Sequence, residues 1–122
     1  MAEAKKSFMS SDLTGFIGSE GLHFMPMFKQ INYTDGVHFL VHHGCAWMVT
    51  DMLPVLISHA MVRREPFVCI TFKKNADKTA KITYDDGNAN ILFIQKYPFT
   101  DCPVNEIKFF CTGKVLMLAR EY

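Results

Sequence analysis

No stretch of this 122-residue sequence is uninterruptedly apolar over the ~20 residues that crossing a bilayer takes. The opening MAEAKKSFMSS has no apolar core of the kind a secretory signal needs. A soluble, cytoplasmic protein that uses no membrane is expected. Charge of one sign is missing too. The 13 basic residues face 12 acidic ones, net charge +1, and the densest basic cluster is the pair Arg63-Arg64. Nucleic acid is therefore not an expected partner, because counterion displacement requires a clustered basic surface. The four cysteines, Cys45, Cys69, Cys102 and Cys111, form no CxxC pair. That excludes zinc ribbons, haem attachment and thioredoxin-like motifs as local signals. Cys69 and Cys111 fall in apolar strand patterns and Cys45 in a helical one, where a thiol behaves as a small hydrophobe; free thiols are expected. FIGSEG has too few glycines, and no following Lys-Ser/Thr, for a phosphate loop, and no HExxH occurs.

What is present is apolar bulk. Hydrophobic residues make up 49% of the chain, with 11 Phe, enough for one core and too little chain for two. A single domain over 1–122 is expected: a tail at 1–9, a helical half at 10–66 and an antiparallel sheet half at 67–122. Residues 34–61 carry the longest helical period. At ~100° per residue, Val37, Leu40, Val41, Gly44, Trp47, Met48, Asp51, Met52 and Val55 share one side. Phe39, Ala46 and Leu53 add apolar groups to the other, so this helix packs on two sides. Thr34 or Asp35 can cap it, and it should run from Asp35 to about His59. Pro54 lacks an amide proton and crowds the carbonyl of Thr50, which predicts a kink or break there. A short helix is expected from Ser10 or Ser11 through Asp12, Leu13 and Phe16.

The second half alternates. Val68, Ile70 and Phe72 interleave with Cys69, Thr71 and Lys73, and strands are expected over 67–74, 79–84, 90–97, 106–111 and 114–118. Turns fall at 75–78, at the DDGN of 85–88 and at Thr112-Gly113, with a longer connection at 98–105. Ile91–Ile94, apolar on both faces, suggests a central strand. The expected class is α+β: one long, kinked helix on an antiparallel sheet of four to five strands, with a short N-terminal helix.

Several residue groups carry a resemblance: YTDG at 33–36, Ala46-Trp47 with Asp51 following, DGN at 86–88, Phe99-Thr100-Asp101 with Pro103 behind, and the closing Glu121-Tyr122. In this order and spacing they resemble a family catalogued only as domain of unknown function 6876, over about residues 12–122. The resemblance implies a bacterial protein with relatives on phages and other mobile elements, and it implies no activity, substrate or catalytic residue. Family members often carry a Tyr-Arg-His-like cluster between GSE and YTDG. The matching stretch here reads His23-Phe24-Met25, so any activity resting on that cluster would be lost.

Among candidate sites, Asp35, His38, His42 and Cys45 lie within an ~80° stripe of the helix, with His38 and His42 at the i, i+4 spacing of metal-binding imidazoles. The four groups span ~15 Å along the axis, too far to meet at one ion, so no metal and no cofactor are expected. Asp51, on a largely apolar face, needs a partner such as Tyr33, Tyr84, Gln95 or a backbone amide. Asp85 and Asp86 are explained by their turn. In residues 22–28, LHFMPMF, five large apolar groups occur in seven positions with no burying period, and Pro26 prevents an ordinary helix. Phe24, Met25, Met27 and Phe28, with Leu22, are the expected contact surface for a protein partner or a second copy of the chain. The function these features favour is a small binding or regulatory module, in the form of an inhibitor of a host defence system such as an anti-CRISPR. The alternative is a small metal-dependent or acid/base enzyme using the central-helix residues.

Overall fold

The computed structural model describes residues 8–13, 15 and 21–122. Phe16, the last residue of the expected short N-terminal helix, and all of FIGSEG but Gly21 lie outside them. Ser10–Leu13 forms one 3-10 turn, closed by the Met9 amide donating to Asp12 Oδ2 at 2.9 Å. The chain then makes strands β1 (Leu22–His23) and β2 (Asn32–Thr34), separated by a 3-10 turn at Pro26–Phe28. Helices α1 (Asp35–Leu40), α2 (Ala46–Ser58) and α3 (Ala60–Arg63) follow. Strands β3 (Phe67–Lys74), β4 (Ala80–Asp85), β5 (Ile91–Tyr97), β6 (Glu106–Thr112) and β7 (Val115–Leu118) complete the fold.

All five strands of the second half stand where alternation and turn residues place them. The sheet is nevertheless larger than four to five strands. It has seven, in the order β1-β2-β7-β6-β3-β4-β5, and it is mixed rather than antiparallel, because β2 runs parallel to β7. The two added strands have two and three residues, too short for a period to register. A second correction concerns β5, which is an edge strand, not a central one. Its double-sided apolar character has local causes. Phe93 packs under His59, ring centroids 4.4 Å apart, and a register shift at Tyr84/Asp85 turns the start of the strand.

The long helix spans Asp35–Ser58 and is kinked, but the kink is not at Pro54. It falls in Val41–Cys45, where Gly44 adopts φ +92° and His43 leaves helical geometry. Glycine takes that φ readily because it has no Cβ to crowd the backbone. Pro54 sits inside α2. The carbonyl deprived of its partner belongs to Thr50, which is exposed, so water can serve it. By length and a mean hydropathy of 1.3 this helix would also suffice to cross a membrane, contrary to the reading that no segment does. In the fold it is the core helix: Met48, Val49, Met52 and Leu53 are buried in one cluster with Val68, Ile70, Phe72, Ile82, Tyr84, Phe109 and Leu116 of the sheet.

Candidate functional site

The segment before the central helix is shaped by its proline. Met25, preceding Pro26, is extended (φ −99°, ψ 134°) and Pro26 opens the 3-10 turn, the two placements that proline geometry favours. Alternation along β1 then divides the side chains. Leu22 and Phe24 stand outward at 57% and 55% exposure, and Met27 at 83%. Met25 and Phe28 pack against the core, with the Met25 sulfur 3.9 Å from the Thr50 hydroxyl. The expected contact set thus splits into exposed Leu22, Phe24 and Met27 and half-buried Met25 and Phe28.

His23 points the other way, onto the N-terminal turn of the helix. Its Nε2 lies 2.9 Å from Asp35 Oδ1, and its ring stacks on His38 with centroids 3.8 Å apart and planes 8° from parallel. Tyr33 continues the stack, 5.8 Å from His23 and 6.2 Å from His38. His42 meets His38 edge-on at 4.3 Å. Asp35, His38, Phe39, His42 and His43 line a shallow recess beside these rings. Of the sequence stripe, Asp35, His38 and His42 do come together. Cys45 does not; it is buried on the far side of the kink, its Sγ 4.0 Å from that of Cys102.

Parallel stacked imidazoles direct their ring nitrogens within parallel planes, so His23 and His38 do not converge on one ion. Among the described residues no group of three His, Cys, Asp or Glu side chains could hold a metal. His38 Nδ1 is buried and makes no hydrogen bond among the described residues. Burial, reinforced by the charges of His23 and His42 and opposed by Asp35, holds the His38 pKa below its ordinary 6.5. Between 6.5 and that lower value the unfolded chain binds more protons than the folded one, so stability is complete above about pH 6.5 and declines as acid carries through the window. A melting temperature that falls as the pH is lowered below about 6.5 is expected, with a flatter profile in His38→Phe. An identical fall in that variant would remove the His38 imidazole as its cause.

Asp51 is partnered as its position demands, by a residue the sequence does not single out: the Tyr97 hydroxyl donates to its Oδ2 at 2.8 Å. The network continues from Gln95 Nε2 to the Asp51 carbonyl at 3.3 Å and from the Tyr84 hydroxyl to Gln95 Oε1 at 2.6 Å. Burial raises the pKa of both tyrosines, for Tyr97 with the Asp51 carboxylate adding to it.

At the start of the central helix, backbone capping comes from the other end of the chain. Glu121 is buried. Its Oε1 accepts from the Thr34 hydroxyl at 2.5 Å and the Leu118 amide at 2.9 Å, and its Oε2 from the Gly36 amide at 3.0 Å. A Cβ on Gly36 would stand 2.6 Å from both Glu121 Oε1 and Leu118 Cδ1. YTDG and Glu121-Tyr122 are therefore one structure, and Trp47 and Asp51 share Tyr97, whose ring lies 5.3 Å from the indole. The model of a family of unknown function, DUF6876, matches residues 7–122.

The chain belongs to that family. No curated protein and no solved structure matches it. Within this DUF6876 chain the remaining motif residues also have local roles. Asp86 Oδ1 accepts from the Asn88 and Asn90 amides at 2.8 and 3.3 Å, closing the turn around Gly87 at φ +87°. Buried Thr100 accepts from the Cys102 amide at 3.2 Å. His23 is the site residue least visible in sequence: 12 positions separate it from Asp35, and only β1–β2 pairing joins them.

Proposed function

We propose that this DUF6876 protein is a small protein-binding module whose contact surface is Leu22, Phe24 and Met27, and that it serves a phage or mobile element as an inhibitor of a host defence system such as an anti-CRISPR. One observation carries the binding reading. Three large apolar side chains within six residues remain more than half exposed, although the same short segment buries part of Met25 and Phe28. Keeping apolar area in water forgoes roughly 25 cal/mol per Å², and a clustered patch of this kind marks an interface. The defence-inhibitor form rests on the mobile-element character that the family resemblance implies.

Expression in a bacterium that restricts a phage should restore plaquing. Phe24→Ser and Met27→Ser should each abolish the restoration while leaving stability within about 1 kcal/mol of the parent. If both variants instead lose several kcal/mol, as truncated core residues do, the segment is a core flap and this surface is not the binding site.

A second reading, an acid/base enzyme, is favoured by the His23–Asp35 contact. An imidazole held by a carboxylate is the arrangement in which a general base is oriented, and the recess beside His38 and His42 is open to a substrate.

A further inference from the structure

Cys45 closes the kink of the central helix, and Cys102 lies in the connection between β5 and β6. They are 57 positions apart, both buried, with Sγ atoms separated by 4.0 Å. All four cysteines are thiols. The Cys102 side is held firmly: Lys74 Nζ donates to the Cys102 carbonyl at 2.5 Å, the Cys102 amide donates to Thr100 Oγ1, and the Thr100 amide donates to the Lys78 carbonyl at 2.9 Å. The Cys45 side lies outside regular helical geometry. Its own backbone is non-helical (φ −114°, ψ 23°) and follows Gly44 at φ +92°, so it is not locked into a regular helical ladder. A disulfide needs its sulfurs about 2.05 Å apart, which the pair reaches if each sulfur moves by roughly 1 Å.

We propose that Cys45 and Cys102 are a redox site that forms a reversible intramolecular disulfide with hydrogen peroxide, fastening the kink of the central helix to the β5–β6 connection. Cys102 is the attacking thiol. A hydrogen bond with the Cys45 thiol, the Val104 amide and the charge of Lys74 hold its pKa down to about 7 against burial and Asp101. Burial pushes Cys111 up to about 11 and also raises Cys69, which leaves those two with less thiolate. In the first step the Cys102 thiolate attacks one peroxide oxygen. An S–O bond forms, the O–O bond breaks, and the departing hydroxide takes up a proton as water. In the second, Cys45 gives up its proton and its sulfur attacks the Cys102 sulfur. The S–S bond forms, the S–O bond breaks, and the leaving hydroxide departs as water with that proton. Two thiols are oxidised and one peroxide is reduced to two waters. The bond restrains Val41–Cys45, the segment that carries His42 and His43 into the recess.

The test uses the reduced, folded, full-length protein treated with hydrogen peroxide. Remaining thiols are then alkylated, and the protein is digested and analysed by mass spectrometry without reduction. The expected product joins the Cys45 and Cys102 peptides, lighter by two hydrogens than their sum, with Cys69 and Cys111 alkylated. Dithiothreitol should restore all four thiols. Oxidation confined to Cys69, or disulfides only between molecules, with Cys45 and Cys102 unlinked, overturns the proposal. Melting supplies an independent check. A link across 57 positions restricts the unfolded chain, so peroxide should raise the melting temperature of the wild type and not of Cys45→Ala or Cys102→Ala. An equal rise in either variant, or none in the wild type, also overturns it.

Discussion

Glu121→Ala is expected to destabilise the protein by about 3 kcal/mol, because it strips three buried donors of their acceptor at once. The Thr34 hydroxyl, the Gly36 amide and the Leu118 amide all bond this carboxylate and have been withdrawn from water to do so. Two of them belong to the start of the central helix, whose first amides have no partners within the helix itself. Thr34 does not cap with its own side chain; its hydroxyl is spent on Glu121. Thermal denaturation should register the loss as roughly 10 °C. Gly36→Ala should destabilise as well, since the new methyl group collides with Glu121 and Leu118. Because Glu121→Ala clears part of that collision, the double variant should lose less than the two singles added together. A melting temperature for Glu121→Ala close to that of the parent would show that the carboxylate does not hold the start of the central helix to the last turn.

Phe72→Ala should cost still more, about 4 kcal/mol. Phe72 is completely buried on β3, facing the central helix, with the Trp47 ring edge-on at 6.3 Å. Truncation removes its transfer free energy and leaves a cavity that a helix on one side and paired strands on the other cannot close. Phe99→Ala is the control, since its ring is 64% exposed and its removal should change stability by less than about 0.5 kcal/mol. Urea unfolding with equal m-values would compare the two directly. Similar losses in both variants would mean that the sheet face assigned to the core is not the one that is packed.

The strands from β3 to β7 were legible because their signals are local. Val68, Ile70 and Phe72 alternate over the span of a strand, and Gly87 and Gly113 mark turns whose backbone takes positive φ. The length of the central helix was legible from its period. Its kink was misplaced because sequence penalises proline by an average cost, whereas the actual cost depends on where the deprived carbonyl sits. At Thr50 it faces solvent. The need for a partner at Asp51 was also legible, but not the choice of Tyr97 over Tyr84 or Gln95, which depends on how β5 lies under the helix.

What the sequence determined by itself was therefore the kind of object: an α+β protein with one long apolar helix, strands with a buried face, charges in balance, and an apolar segment at 22–28 with no period to bury it. These follow from side-chain chemistry at short range, where spacing along the chain and spacing in space nearly coincide. Only the tertiary structure decided which distant residues meet. Two strands of two and three residues carry His23 to Asp35 and His38. The last turn of the chain brings Glu121 to Thr34 and Gly36, 87 and 85 positions away, and the β5–β6 connection brings Cys102 to Cys45. Each is a contact between segments whose proximity is set by strand pairing and helix packing, interactions that bury area cooperatively across the whole core and leave no trace in any local window of sequence.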